Sequence, residues 1–122
     1  MANDFKRFTV NNVNTSAGAS ASAVYTVPAG AGSSALESIV IGITVSNTSS
    51  TGITASVFLD NNSGSNDVHI VKDATIPAGS TLEVMSGNKL VLQNTGSAAD
   101  VLRVSASAAS SADALVSVLE DV

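Results

Sequence analysis

Apolar residues recur at every second position in short runs, and clusters of Gly, Pro, Asn, Asp and Ser separate the runs along the whole chain. A period of two is the signature of strands with one face turned to a core. It predicts strands over 5–10, 23–27, 36–47, 53–60, 67–73, 81–85, 89–93 and 100–107. The stretch 13–22, rich in Ser, Ala, Gly and Asn, has no period and reads as a loop. Pro28 ends the second strand, because proline lacks the amide proton that a ladder needs. The clearest strand is 36–47. Ile39, Ile41, Ile43 and Val45 fall on one face and are expected to point into the core. Ser38, Val40, Gly42, Thr44 and Ser46 fall on the other. Gly42 in its middle suggests a bulge or a close packing partner. In 53–60, Ile53, Ala55, Val57 and Leu59 share one face and Phe58 takes the other. Val24 and Tyr25 are expected on opposite faces of theirs.

The last segment, 113–122, carries two patterns. Leu115, Val118, Leu119 and Val122 sit at helical spacing, and Ser110 with Asp113 resembles a capping box. As a strand, it gathers Ala114, Val116 and Val118 on one apolar face. Its valine content and the eight strands before it favour a ninth strand. Eight to nine short antiparallel strands in one small chain predict an all-β protein, a β-sandwich or jelly roll. No fixed-period repeat and no long linker divides the chain, so 1–122 reads as one domain.

Composition narrows what such a fold is built from. The chain has 122 residues, of which 44% are hydrophobic, 12% charged and 3% aromatic. Its core must therefore consist of small aliphatic side chains. There is no cysteine, one histidine, no tryptophan and one tyrosine. Disulfides, thiol catalysis and cysteine metal sites are excluded, and little remains for general acid–base chemistry. The formal net charge of -5 argues against nucleic-acid binding. No apolar run approaches the ~18 residues of a membrane-spanning helix. The first ten residues, MANDFKRFTV, lack the apolar stretch of a secretory signal. The expectation is a non-enzymatic structural or binding protein with no catalytic residue, metal or cofactor.

Three features could still carry chemistry. The loop from Asp60 to Asp67 concentrates oxygen ligands, but Gly64 and Val71 fall where a helix-loop-helix calcium site needs other spacing, so it reads as a hairpin loop. His69 has no second histidine to share a metal and reads as a strand residue. Phe5, Lys6, Arg7 and Phe8 place two of the three phenylalanines beside the only basic pair. They are the candidate partner-binding residues. Residues 1–14 form a possible docking arm that buries its aromatics on a partner, and the rest of the domain is expected to stay folded when 2–10 are removed. The run Gly30-Ala-Gly32 precedes no helix and lacks a third glycine, so it is not a phosphate loop. The Asn-X-Ser triplets at Asn14, Asn47 and Asn61 read as chance matches in an Asn/Ser-rich chain.

The order Ile76-Pro77-Ala78-Gly79-Ser80-Thr81-Leu82, Asn88-Lys89-Leu90-Val91-Leu92 and Val101-Leu102-Arg103-Val104, followed by the Ser/Ala stretch and Asp113 to Glu120, resembles small virion structural proteins of tailed bacteriophages, especially those of marine cyanobacteria. Phe5-Lys6-Arg7-Phe8 and Val24-Tyr25-Thr26-Val27-Pro28 are similar too. The resemblance implies a β-sandwich, no enzymatic activity and a place in the assembled particle, made in the host cytoplasm. The leading expectation is a capsid decoration or cement protein. It would bind the major capsid protein lattice and itself, as a homotrimer, without touching nucleic acid or membrane. Added interface would stabilise the shell by mass action. The alternatives are a tail, neck or fibre component contacting the host surface or its glycans, and a cellular surface or matrix protein.

Overall fold

The computed structural model describes residues 3–61, 67–85 and 89–121. Nine strands lie among them: β1 (Asn3–Val10), β2 (Ser22–Thr26), β3 (Leu36–Asn47), β4 (Ile53–Asp60), β5 (Asp67–Ile76), β6 (Thr81–Glu83), β7 (Leu90–Asn94), β8 (Val101–Ala106) and β9 (Ala112–Asp121). No α-helix occurs among the described residues, and two single-turn 3-10 helices sit in the crossovers. The ambiguous last segment is therefore a strand. It alternates Ala112, Ala114, Val116 and Val118 inward, and both of its edges are paired.

All pairings are antiparallel and form two sheets. A front sheet runs β1-β9-β3, with β6 and β7 both on the far side of β3. A back sheet runs β2-β8-β4-β5. Apart from the β4–β5 hairpin and the β6–β7 pair, each connection crosses from one sheet to the other. This is the jelly-roll connectivity of two interleaved Greek keys, with its sixth strand broken in two. The break has a simple cause. β3, at 12 residues, is longer than either partner, so β7 covers Leu36–Val40 and β6 covers Thr44–Ser46.

The sheets enclose a core of valine, alanine and isoleucine with few large residues. Two buried asparagines close the crossovers around it. Asn47 Nδ2 donates to the carbonyls of Thr51 and Ile76 at 2.8 and 2.9 Å. Asn94 Nδ2 donates to the carbonyl of Val27 at 2.8 Å. Each amide satisfies backbone groups that leave the ladders at a sheet end, where an unpaired buried carbonyl is costly.

Bulges in β3 and β2 correct the simple alternation there. Along β3, Val40 faces Val118 and Gly42 faces Ser117, so Ile41 has no partner on β9. One extra residue flips the phase of the strand. Ser38 and Val40 therefore point inward before the bulge, and Ile43, Val45 and Asn47 after it. Ile39 and Ile41 face outward, against the expectation that all four isoleucine and valine positions share the core. A side chain on Gly42 would meet nothing within 4 Å, so this glycine marks the bulge and not a close neighbour. A register shift between Ala23 and Tyr25 acts likewise in β2 and buries both Val24 and Tyr25. The phase change makes a direct test. Ile43→Ala is expected to cost about 2–5 kcal/mol through lost burial and a residual cavity. Ile41→Ala is expected to stay within about 0.5 kcal/mol. Denaturant unfolding of the two variants separates the readings, since equal losses would mean the bulge is absent.

Candidate interaction surface

Phe5, Lys6, Arg7 and Phe8 do not share one face. β1 pairs with β9 along all eight of its residues, so successive side chains leave on opposite faces of the front sheet. Lys6 and Phe8 point inward, while Phe5 and Arg7 point outward.

The inward pair belongs to a polar cluster inside the sandwich. Glu120 of β9 is 2% exposed, yet it carries a carboxylate. Lys6 Nζ lies 2.9 Å from its Oε1, and the Tyr25 hydroxyl donates to its Oε2 at 2.6 Å. Ser38 Oγ sits 2.6 Å from the same Tyr25 oxygen and donates to it, because the phenolic proton is given to Glu120. The Phe8 ring packs on Tyr25 with centroids 4.7 Å apart. Side chains from β1, β3 and β9 of the front sheet thus converge on β2 of the back sheet. An isolated buried carboxylate costs several kcal/mol, and this one is held by two donors. The cluster also ties down β1, the edge strand that pairs with β9. Val13, beyond it, is fully buried.

The outward pair lies on a different surface. The ladder places Phe5 opposite Leu119, Leu119 opposite Ile39, and Ile39 opposite Val91. Four apolar side chains form a row across the outer face of β1, β9, β3 and β7, and Ile41 flanks it at the bulge. Phe5 is 77% exposed and Val91 56%. Three of the four exposed large hydrophobic residues found among the described residues belong to this patch, the fourth being Val68 on the back sheet. Exposed apolar residues gathered in one patch, unlike scattered ones, mark an interaction surface. In the next row Arg7 faces Ser117. Past it, the same face sinks into an open depression of about 440 Å³, lined by Thr9, Asn11, Thr44, Ser46, Asp113 and Leu115 among others.

The remaining candidates lie on the back sheet or outside the described residues. Residues 62–66 of the Asp60–Asp67 loop are outside them. Asp60 is held by Arg103, with Nε 2.9 Å from Oδ2. No group of three or more His, Cys, Asp or Glu among the described residues could hold a metal ion. His69 projects from the outer face of β5 and lies over the Phe58 ring. Comparison with known proteins finds nothing similar: no protein family, no curated protein and no solved structure matches the chain.

The polar cluster sets a pH dependence. Burial, then the hydrogen bond to Glu120, pushes the Tyr25 hydroxyl well above its ordinary value of 10.0. The hydrogen bond and charge of Glu120 raise the Lys6 ammonium above 10.5. The folded state holds both protons more tightly than the unfolded chain. The stabilisation is therefore complete below a pH of about 10 and fades as the pH rises beyond it. Melting temperature is expected to fall above that point. Tyr25 is the single tyrosine, so phenolate absorbance reports it alone, and it should appear only with unfolding. A reversible phenolate signal near pH 10 in folded protein would contradict the cluster. Tyr25→Phe is expected to cost about 1–3 kcal/mol, because Glu120 loses a donor in a buried site. Deleting residues 1–10 removes Lys6 and Phe8 and uncovers β9, so circular dichroism of that truncation should show loss of the fold.

Proposed function

We propose that this protein is a non-enzymatic structural protein of a tailed-phage particle, a decoration or cement subunit that docks on the capsid lattice through the outer face of its front sheet and associates with copies of itself as a homotrimer. The observation that carries the reading is the row Phe5, Leu119, Ile39 and Val91 across four adjacent strands. A row of apolar side chains spread across four strands suits broad contact with a protein surface. Burying an exposed Phe contributes about 1.5–3 kcal/mol. A docking face needs only a few such anchors, because a minority of interface residues carries most of the energy. Arg7 stands beside the row, where it can pair with an acidic group of the partner and fix the register. Lys6 has no part in this contact, since Glu120 occupies it. The jelly roll, which recurs in viral capsid domains, supports the placement by analogy of fold alone.

Co-sedimentation with undecorated capsids is the test. Phe5→Ser and Val91→Ser change exposed side chains, so the fold should persist by circular dichroism. Each is expected to weaken attachment about tenfold or more. Undiminished attachment of the double variant would exclude this face. Band intensity from purified particles separates the head from a tail, neck or fibre position. A copy number comparable to that of the capsid protein supports the decoration reading, and a handful of copies supports the alternative.

A further inference from the structure

The outer face of the back sheet is shaped quite differently, and its shape comes from the edge strand β5. The register between β4 and β5 shifts twice, between Ala55 and Val57 and again between Val57 and Phe58. Bulges re-aim side chains, and here they set His69 opposite Phe58. The imidazole lies on the phenyl ring with centroids 5.0 Å apart and planes 32° from parallel. Phe58 is only 3% exposed although it points away from the core. Its cover on the other side is the segment 14–21, which crosses the outside of the sheet. Arg103 Nη1 donates to the Ala21 carbonyl at 2.9 Å, and the Ala106 amide donates to the Asn14 carbonyl at 3.0 Å. Gly18, at φ +60, brings this segment next to Asp67. An open cleft of about 270 Å³ remains between the crossing segment and β5.

We propose that this cleft binds one ring of a neutral saccharide. His69, exposed and backed by the buried Phe58 ring, provides an aromatic face of the kind on which the apolar C–H face of a sugar stacks. Around it stand Asp67, Asp73 and Lys72, with the hydroxyls of Ser56 and Ser105. Carboxylates accept from sugar hydroxyls, and an ammonium donates to them. Two carboxylates against one ammonium disfavour an anion. No group of three metal-binding side chains among the described residues favours a cation. The volume lies just under the range of drug-sized pockets, about 300–1,000 Å³, and suits a single ring. Asp73 is fixed in place: its backbone is left-handed at φ 52, its amide donates to Ser56 Oγ at 2.9 Å, and the Ser56 hydroxyl donates weakly to its Oδ1 at 3.4 Å. The cleft and the apolar row lie on opposite sheets, so this site does not rest on the docking reading, and both could be occupied at once.

Titration of the full chain with the methyl glycosides of glucose, galactose and mannose, followed by amide resonances in nuclear magnetic resonance, tests the proposal. At least one glycoside is expected to move the Gly18, His69 and Asp73 resonances with a Kd of about 1 mM. Glucuronate, the same ring with a carboxylate, should bind more weakly. His69→Ala is expected to weaken binding about tenfold. Asp73→Asn keeps a residue that tolerates the left-handed backbone, so it removes the charge without disturbing the bulge in β5. It should weaken binding while the melting temperature holds. Three outcomes overturn the proposal: no shift with any of the glycosides, tighter binding of glucuronate, or shifts that persist unchanged in both variants.

Discussion

A single carboxylate inside an aliphatic sandwich is the constraint around which the rest is arranged. Glu120 sits on the central strand of the front sheet with both neighbouring strands in place, and water does not reach it. Its charge must be answered from within the fold. The answer comes from Lys6 on one neighbour and from Tyr25 across the core, with Ser38 steadying the phenol. Mostly small aliphatic side chains fill the remaining core. They pack without direction, so they fix volume more than alignment. The hydrogen bonds to Glu120 do have direction, and they align β1, β9 and β3 with β2 at one end of the sandwich.

That arrangement leaves the two outer faces with different characters. Glu120 draws Lys6 inward, and strand alternation then sends Phe5 and Arg7 out. The front sheet acquires an apolar band whose length is the full width of the ladder. The back sheet is roofed by the segment 14–21 and carries its polar groups in a recess around His69. One face carries an apolar band that gives way to an open depression, the other a smaller recess beside β5.

Much of this was written in the alternation of residues. The strands 36–47 and 53–60 stand where the period of two puts them, and β9 (Ala112–Asp121) is a strand for the reason its valines suggest. Phase was harder. An alternation continues only until a bulge, and a glycine such as Gly42 permits one without saying which side of it changes face. The division of labour in β1 was legible and was missed, because Phe5 and Phe8 are three apart and a strand must place them on opposite faces. Glu120 carried a signal as well. It extends the inward set Ala114, Val116 and Val118 by one more step of two, and a charge at that step demands a partner. The contact of His69 with Phe58 had no such trace, since it depends on two register shifts and on a loop whose course is set by distant hydrogen bonds.

The position of β9 has a further consequence, for the order of assembly during synthesis. It is the middle strand of the front sheet and the last of the nine to be made. Until it emerges, β1 and β3 have no bridge between them, and their apolar inner faces and open edges wait on the ribosome. The nascent chain can pair β4 with β5 at once, and β8 can later join that hairpin, so the back sheet forms progressively. The front sheet closes in one late step over long sequence separation, the kind of contact that forms slowly. The charge of -5 then serves a second end: mutual repulsion opposes sticking between incomplete chains while they wait.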